Sequence, residues 1–200
     1  MFSGWHDRAS RPRKQHQGPV LTAQIDWELM ALVDVYNDIK PMLVLEIGSQ
    51  NGGTLYYWLR DAPPGAVVVN IDIFQNMEPK DAKIFREMWH TWAPFGITQH
   101  TLEGRSDDPA IFAQAVALLP EIDFLFIDAC HTYEGARYDF LKYGPLVRKG
   151  GVIAFHDLIT PDHQQHIQVG KLWREIQAAG YKTQELRANA PWGGVGIVWI

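Results

Sequence analysis

Four ionisable side chains stand where two buried runs of this chain end. Asp128 and His131 lie in Ile127-Asp128-Ala129-Cys130-His131-Thr132-Tyr133, and His156 and Asp157 close Phe155-His156-Asp157. If both runs are neighbouring strands of an open α/β sheet, their carboxyl ends share the edge where ligands bind. Ionisable groups gathered there are costly unless they hold a ligand or carry a reaction. Two acids with two imidazoles can grip a divalent ion. An imidazole, with an ordinary pKa of about 6.5, can also take a proton near neutral pH.

A second constellation lies upstream, in Leu45-Glu46-Ile47-Gly48-Ser49-Gln50-Asn51-Gly52-Gly53-Thr54. Gly48 lets the chain turn sharply out of a strand, and Gly52 lets a helix start with its backbone close to a ligand. Asp72 ends the next apolar run. An acid there can accept hydrogen bonds from both ribose hydroxyls of an adenosine. A dinucleotide site usually shows G-x-G-x-x-G with a pyrophosphate on the helix N-terminus. Here the spacing is Glu46-x-Gly48-x-x-x-Gly52, with an acid beside the turn that suits a cationic ligand.

The intervening pattern supplies the elements that position these groups. Ile25, Leu29, Leu32 and Val33 recur at helical spacing, so 22–39 reads as an amphipathic helix ended by Pro41. Short apolar runs at 43–48, 66–73, 122–129 and 150–157 read as strands, and the more polar 97–104 reads as another. Helical segments at 52–62, 79–92, 107–119, 132–147 and 170–180 alternate with them, Thr132 being a candidate N-cap and Gly180 a helix stop. The runs 181–186 and 193–200 are too close for a crossover helix, so they pair antiparallel. The expected fold is α/β: a Rossmann-like doubly wound sheet of about seven strands, mostly parallel, with an antiparallel last strand.

Composition narrows the function classes. Two hundred residues suit one domain, and 46% hydrophobic with 20% charged residues is ordinary for a globular chain. The net charge of −5 argues against a nucleic-acid or membrane-surface binder. Cys130 is the single cysteine, read as a small buried hydrophobe. The chain lacks a secretory pattern and a run of about 20 apolar residues, so a cytoplasmic location is expected. Residues 1–20 form a polar, locally basic arm that is either loosely ordered or folds over a pocket or a second subunit. A single domain spans 21–200.

The glycine spacing with Glu46 and the closing hairpin resemble class I S-adenosylmethionine (SAM) dependent methyltransferases, over roughly residues 41–200. The resemblance implies that Glu46, Gly48, Ser49, Gly52, Thr54 and Asp72 contact or shape a SAM site. It also implies that Ser106 and Asp107 border the adenine, with Asp128 adjoining the cofactor. The second constellation resembles the metal-assisted O-methyltransferases, among them catechol and macrolide or rhamnosyl sugar enzymes and the cephalosporin-hydroxylase-like group. By that resemblance His131 and Asp128 are catalytic, and Asp128, His156 and Asp157 hold a divalent metal. An imidazole at His156, where a carboxylate is common, tilts the site from Mg²⁺ toward Mn²⁺, Fe²⁺ or Zn²⁺. The implied activity is O-methylation of a small hydroxylated molecule, and a homodimer is compatible with it. Two other readings stay open: a nucleotide-dependent oxidoreductase on the same sheet, and a SAM-binding protein without catalysis. Pro191 with Trp192, and the group Trp89, Trp92 and Phe95, are both candidates to line a flat or sugar-like acceptor site. His163 and His166 read as residues of a solvated loop.

Overall fold

The computed structural model describes residues 22–75, 77–160 and 163–200. The arm expected at 1–20 lies outside the described residues. Seven strands form one sheet: β1 (Leu43–Ile47), β2 (Val67–Asp72), β3 (Thr98–Glu103), β4 (Ile122–Ile127), β5 (Val147–Phe155), β6 (Lys182–Leu186) and β7 (Val195–Trp199). Their order is β3-β2-β1-β4-β5-β7-β6. Strands β1 to β5 pair in parallel, and β7 runs antiparallel to both β5 and β6. This is the expected doubly wound sheet with a closing hairpin.

Side-chain alternation along the buried strands fills two cores. Val44, Val68, Phe124 and Phe126 face one side, with α1 (Asp26–Ile39), α2 (Gly53–Asp61) and α3 (Pro79–Trp92). Leu45, Val69, Leu125 and Ile127 face the other, with α4 (Pro109–Leu118), α5 (Tyr133–Tyr143) and α6 (Val169–Ala178). Successive residues of a strand point to opposite faces, so an uninterrupted apolar run is what a strand covered on both sides requires. The helices change face where the strand order reverses, between β1 and β4. That switch point opens a crevice at the carboxyl ends.

Local chemistry sets the boundaries. Thr132 caps α5 as expected, its Oγ1 accepting from the Gly135 amide at 3.2 Å. Asp108 does the same for α4, accepting from the Ala110 amide at 2.8 Å. The first helix starts at Asp26 rather than at 22, because the chain bends at Ala23 and Gln24 while 22–24 line the crevice. Among the described residues no helix is long and apolar enough to cross a membrane.

At the amino-terminal edge of the sheet, the buried carboxylate of Asp123 joins three elements. Its Oδ2 accepts from the amides of Met42 (2.6 Å) and Leu43 (2.8 Å), and its Oδ1 from Arg148. Removing it strands two backbone donors at the start of β1, at a cost of about 1–3 kcal/mol for each buried unsatisfied group. Asp123→Ala is therefore expected to lower the unfolding free energy by about 2–4 kcal/mol in urea titration. Ligand affinity at the opposite edge should be retained. A loss below about 0.5 kcal/mol, the size of an ordinary surface change, would contradict this role.

Candidate active site

A cavity of about 1130 Å³ opens at the switch point. Single small-molecule sites usually occupy about 300–1,000 Å³, so this one has room for two ligands. Its two ends are chemically different.

One end is the turn after β1. Gly48 turns with φ 89°, and a β-carbon there would overlap the carbonyl oxygen of Asp128. Ser49 and Thr54 line the cavity, and their hydroxyls donate to Glu46 at 2.6 Å each. Glu46 is fully buried behind the turn and takes a third hydrogen bond, 2.8 Å, from the Trp58 indole. Glu46 thus braces the turn from beneath instead of facing the cavity. Burial pushes its carboxyl up to about 7, against the pull of the Ser49, Thr54 and Trp58 hydrogen bonds. Gly52 also differs from the expectation. Its missing β-carbon makes room for the Trp89 indole rather than for a ligand.

Asp72 stands at the cavity wall, already partnered. Its Oδ2 accepts from the amides of Ser49 (2.7 Å) and Gln50 (2.8 Å), and its Oδ1 from Phe74 (2.6 Å). A carboxylate offers about four lone-pair positions, so one on Oδ1 remains for a ligand hydroxyl. Ser106 and Asp107 line the same end. Arg105 holds Asp107 in a salt bridge of 2.6 Å, and that hydrogen-bonded guanidinium keeps its carboxyl below the ordinary range.

The other end gathers the four expected groups. His131 Nδ1 lies 3.1 Å from Asp157 Oδ2. His156 Nδ1 lies 3.4 Å from Asp128 Oδ1 and 3.3 Å from Asp157 Oδ1. His156 is buried beneath the two carboxylates, while His131 is about one-third exposed above them. Burial works against charge on His156, but the facing carboxylates win and push its pKa up to about 9. Burial lifts the Asp128 carboxyl, and His156, His131 and Gln24 outweigh it, leaving it below its usual value. Burial raises Asp157. Asp157 sits in the left-handed region (φ 61°), a strained conformation for a non-glycine residue that often marks a functional site.

The donor set fits a divalent ion. Asp128, His131 and Asp157 each offer a ligand atom, all within 4.8 Å of one another. His131 is thus a geometric candidate alongside the expected His156, which approaches the same carboxylates from the buried side.

Several residues escaped the sequence pattern. Gln24 donates from Nε2 to Asp128 Oδ2 at 2.5 Å, and no spacing marks it. Asn70, Gln99 and Thr101 form a buried hydrogen-bonded chain that reaches Ser49. The polar Asn70 inside an apolar strand was its only trace. Cys130 is exposed at the cavity rim, not buried, because α5 begins directly after it. Trp89 stacks on Phe74 and Trp92 packs edge-on against Tyr56, so neither lines the cavity. Phe95 is fully exposed elsewhere. Pro191 and Trp192 do line it, and so do His163 and His166, exposed as their loop position suggested.

No curated protein matches this sequence. Solved structures match in fold. An O-methyltransferase of tomaymycin synthesis from Streptomyces achromogenes, in complex with SAM, is 19% identical with a TM-score of 0.64, over 91% of this chain and 82% of that one. An O-methyltransferase from Bacillus cereus, in complex with S-adenosylhomocysteine (SAH), is 18% identical with a TM-score of 0.65, over 92% and 84%. A protein from Klebsiella pneumoniae described as an O-methyltransferase is 17% identical with a TM-score of 0.64, over 92% and 83%. A family described as "Methyltransferase domain" matches residues 45–158, from within β1 past the Asp157 cluster. That span leaves the oxidoreductase reading without support: this chain belongs to the methyltransferase-domain family.

Proposed function

We propose that this protein is a SAM-dependent O-methyltransferase acting on a small hydroxylated molecule. The observation that carries the reading is the single cavity joining the β1 turn and Asp72 to the Asp128–His131–Asp157 cluster. The β1 turn would hold SAM, with Asp72 accepting from its ribose and Ser106 and Asp107 bordering its adenine. An acidic side chain at the cavity wall, Asp72, suits a cationic donor. The acceptor hydroxyl lies between Asp128 and His131. His131 takes its proton, and Asp157 holds the ring in the orientation that exposes Nε2. The oxygen then forms its bond to the methyl carbon as the carbon–sulfur bond breaks, and SAH leaves. Holding donor and acceptor in line supplies much of the rate. A divalent ion held by Asp128 and Asp157 with an imidazole would lower the hydroxyl pKa.

Calorimetric titration with SAM and SAH tests the donor assignment. Asp72→Ala is expected to weaken both by about tenfold or more, since two turn amides lose their acceptor. Absence of binding in the unaltered protein would overturn the reading. Activity lost in EDTA and restored by Mn²⁺ or Mg²⁺ supports the metal, and full activity in EDTA removes it. For His131→Ala, methyl transfer should fall by about 10²–10⁴-fold while SAM affinity holds. Unchanged turnover excludes His131 as the base, whereas SAM binding with no methyl transfer to any acceptor favours a protein that binds SAM without using it.

Glu46 gives a pH signature. Its folded pKa of about 7 stands above the ordinary 4.5, so folding takes up a proton between those values. The ionised form above pH 7 costs stability, and that cost fades as the pH falls toward 4.5. Relative to Glu46→Gln, which cannot titrate, the unaltered protein should gain about 2–3 kcal/mol of unfolding free energy from pH 8 to pH 5. Parallel stability curves for the two proteins would refute the raised pKa.

A further inference from the structure

The half of the cavity beyond Asp128 is built by both ends of the described chain. The segment 22–24 contributes Gln24, and the loop between β6 and β7 contributes Trp192. One residue organises both. Glu28, wholly buried in the first turn of α1, accepts from the Ala188 amide at 2.7 Å and the Gly194 amide at 2.8 Å. The same loop is fastened on its other side, where the Ile159 amide donates to the Gly193 carbonyl at 2.8 Å. Trp192 is therefore a held platform. Its side chain is 40% exposed at the cavity, and no aromatic partner stacks on it among the described residues.

The company Trp192 keeps identifies what lies on it. Around this end stand Gln24, His131, His163, Gln164 and His166, groups that both donate and accept hydrogen bonds. Among the described residues the one lysine or arginine lining the cavity is Arg105, which is paired with Asp107 at the donor end. Ile71, Ile73, Phe74 and Met77 sit at the donor end, while Pro191 and Ile167 are the apolar neighbours of Trp192 and His166 at this one. A phenol ring is apolar on both faces and would lose water to polar walls without repayment in hydrogen bonds. A pyranose ring has one face of C–H groups to lay on an aromatic ring and hydroxyls around its rim. One aromatic platform within a ring of amides and imidazoles matches that shape.

Building on the methyl-transfer reading, we propose that the acceptor is an uncharged sugar ring that stacks on Trp192. Gln24, which spends its Nε2 on Asp128, offers Oε1 to a hydroxyl beside the one that reacts. Trp192 is then a specificity-determining residue, set in place by Glu28.

The test uses the full chain saturated with SAH, probed by saturation-transfer NMR with methyl hexopyranosides (glucoside, mannoside, rhamnoside) and with catechol. At least one glycoside is expected to bind, with saturation concentrated on the protons of one ring face. Trp192→Ala should weaken it by about tenfold, and Trp192→Phe should restore most of that, with SAH affinity unmoved in both. Binding of catechol in preference to every glycoside overturns the proposal, as does glycoside binding indifferent to Trp192→Ala. SAH is titrated first on the same sample. A chain that takes no SAH overturns the methyl-transfer reading as well, whereas one that takes SAH but no glycoside overturns only the sugar acceptor.

Discussion

A β-carbon on Gly48 would overlap the carbonyl oxygen of Asp128. The two halves of the site therefore meet backbone to backbone, with no side chain between them. The contact follows from strand order: β1 and β4 are neighbours at the point where the crossovers change direction. Gly48 continues the ladder through its amide, which donates to Ile71 at 2.9 Å, while the Asp128 amide donates to Ile47 at 2.9 Å. Each half is thereby a direct extension of the sheet. On the proposed reading, a donor held at the turn and a nucleophile held at Asp128 would be brought together by rigid elements, the condition for in-line transfer without a large closing motion.

Behind that contact the protein buries a carboxyl group. Glu46, under the turn, is held by Ser49, Thr54 and Trp58, and Ser49 in turn takes the end of the chain Gln99–Asn70. An isolated carboxylate buried there would be prohibitive, whereas one that accepts three hydrogen bonds is tolerated and fixes the rotamers of its donors. The turn is thus shaped from below by a group that never reaches the ligand. Asp72 finishes the shaping from above by binding the amides of Ser49 and Gln50.

The sheet was legible because burial on both faces writes itself as apolar runs, and the short spacing of the last two runs forces a hairpin. Asp128, His131, His156 and Asp157 were legible because topology alone puts strand ends together. What stayed hidden depends on which way a side chain points. Glu46 and Gly52 sit in a recognisable motif, yet one faces the core and the other accommodates Trp89. Trp89 and Trp192 are equally aromatic in sequence. Trp89 lies on a helix face buried against Phe74, whereas Trp192 lies on a loop lifted to the cavity. Gln24 carried no pattern at all, since its partner Asp128 is 104 positions away.

This asymmetry has a physical source. The donor end recognises one fixed molecule and can be built from strand ends and a glycine turn, which must keep their form for the sheet to close. The acceptor end is assembled from the approach to α1, the loop after β5 and the β6–β7 loop, all of which lie outside the strands themselves. Such segments tolerate change because altering them exposes little core. Their disorder would cost affinity, so something must fix them. Here the fixing is shared between the Ile159–Gly193 bridge and Glu28, which ties α1 to the β6–β7 loop across more than half the chain. A buried carboxylate with two backbone donors is an expensive fastener compared with apolar packing. Its value is directional: it holds the loop at one height above the cavity, which a patch of leucines would leave free to slide.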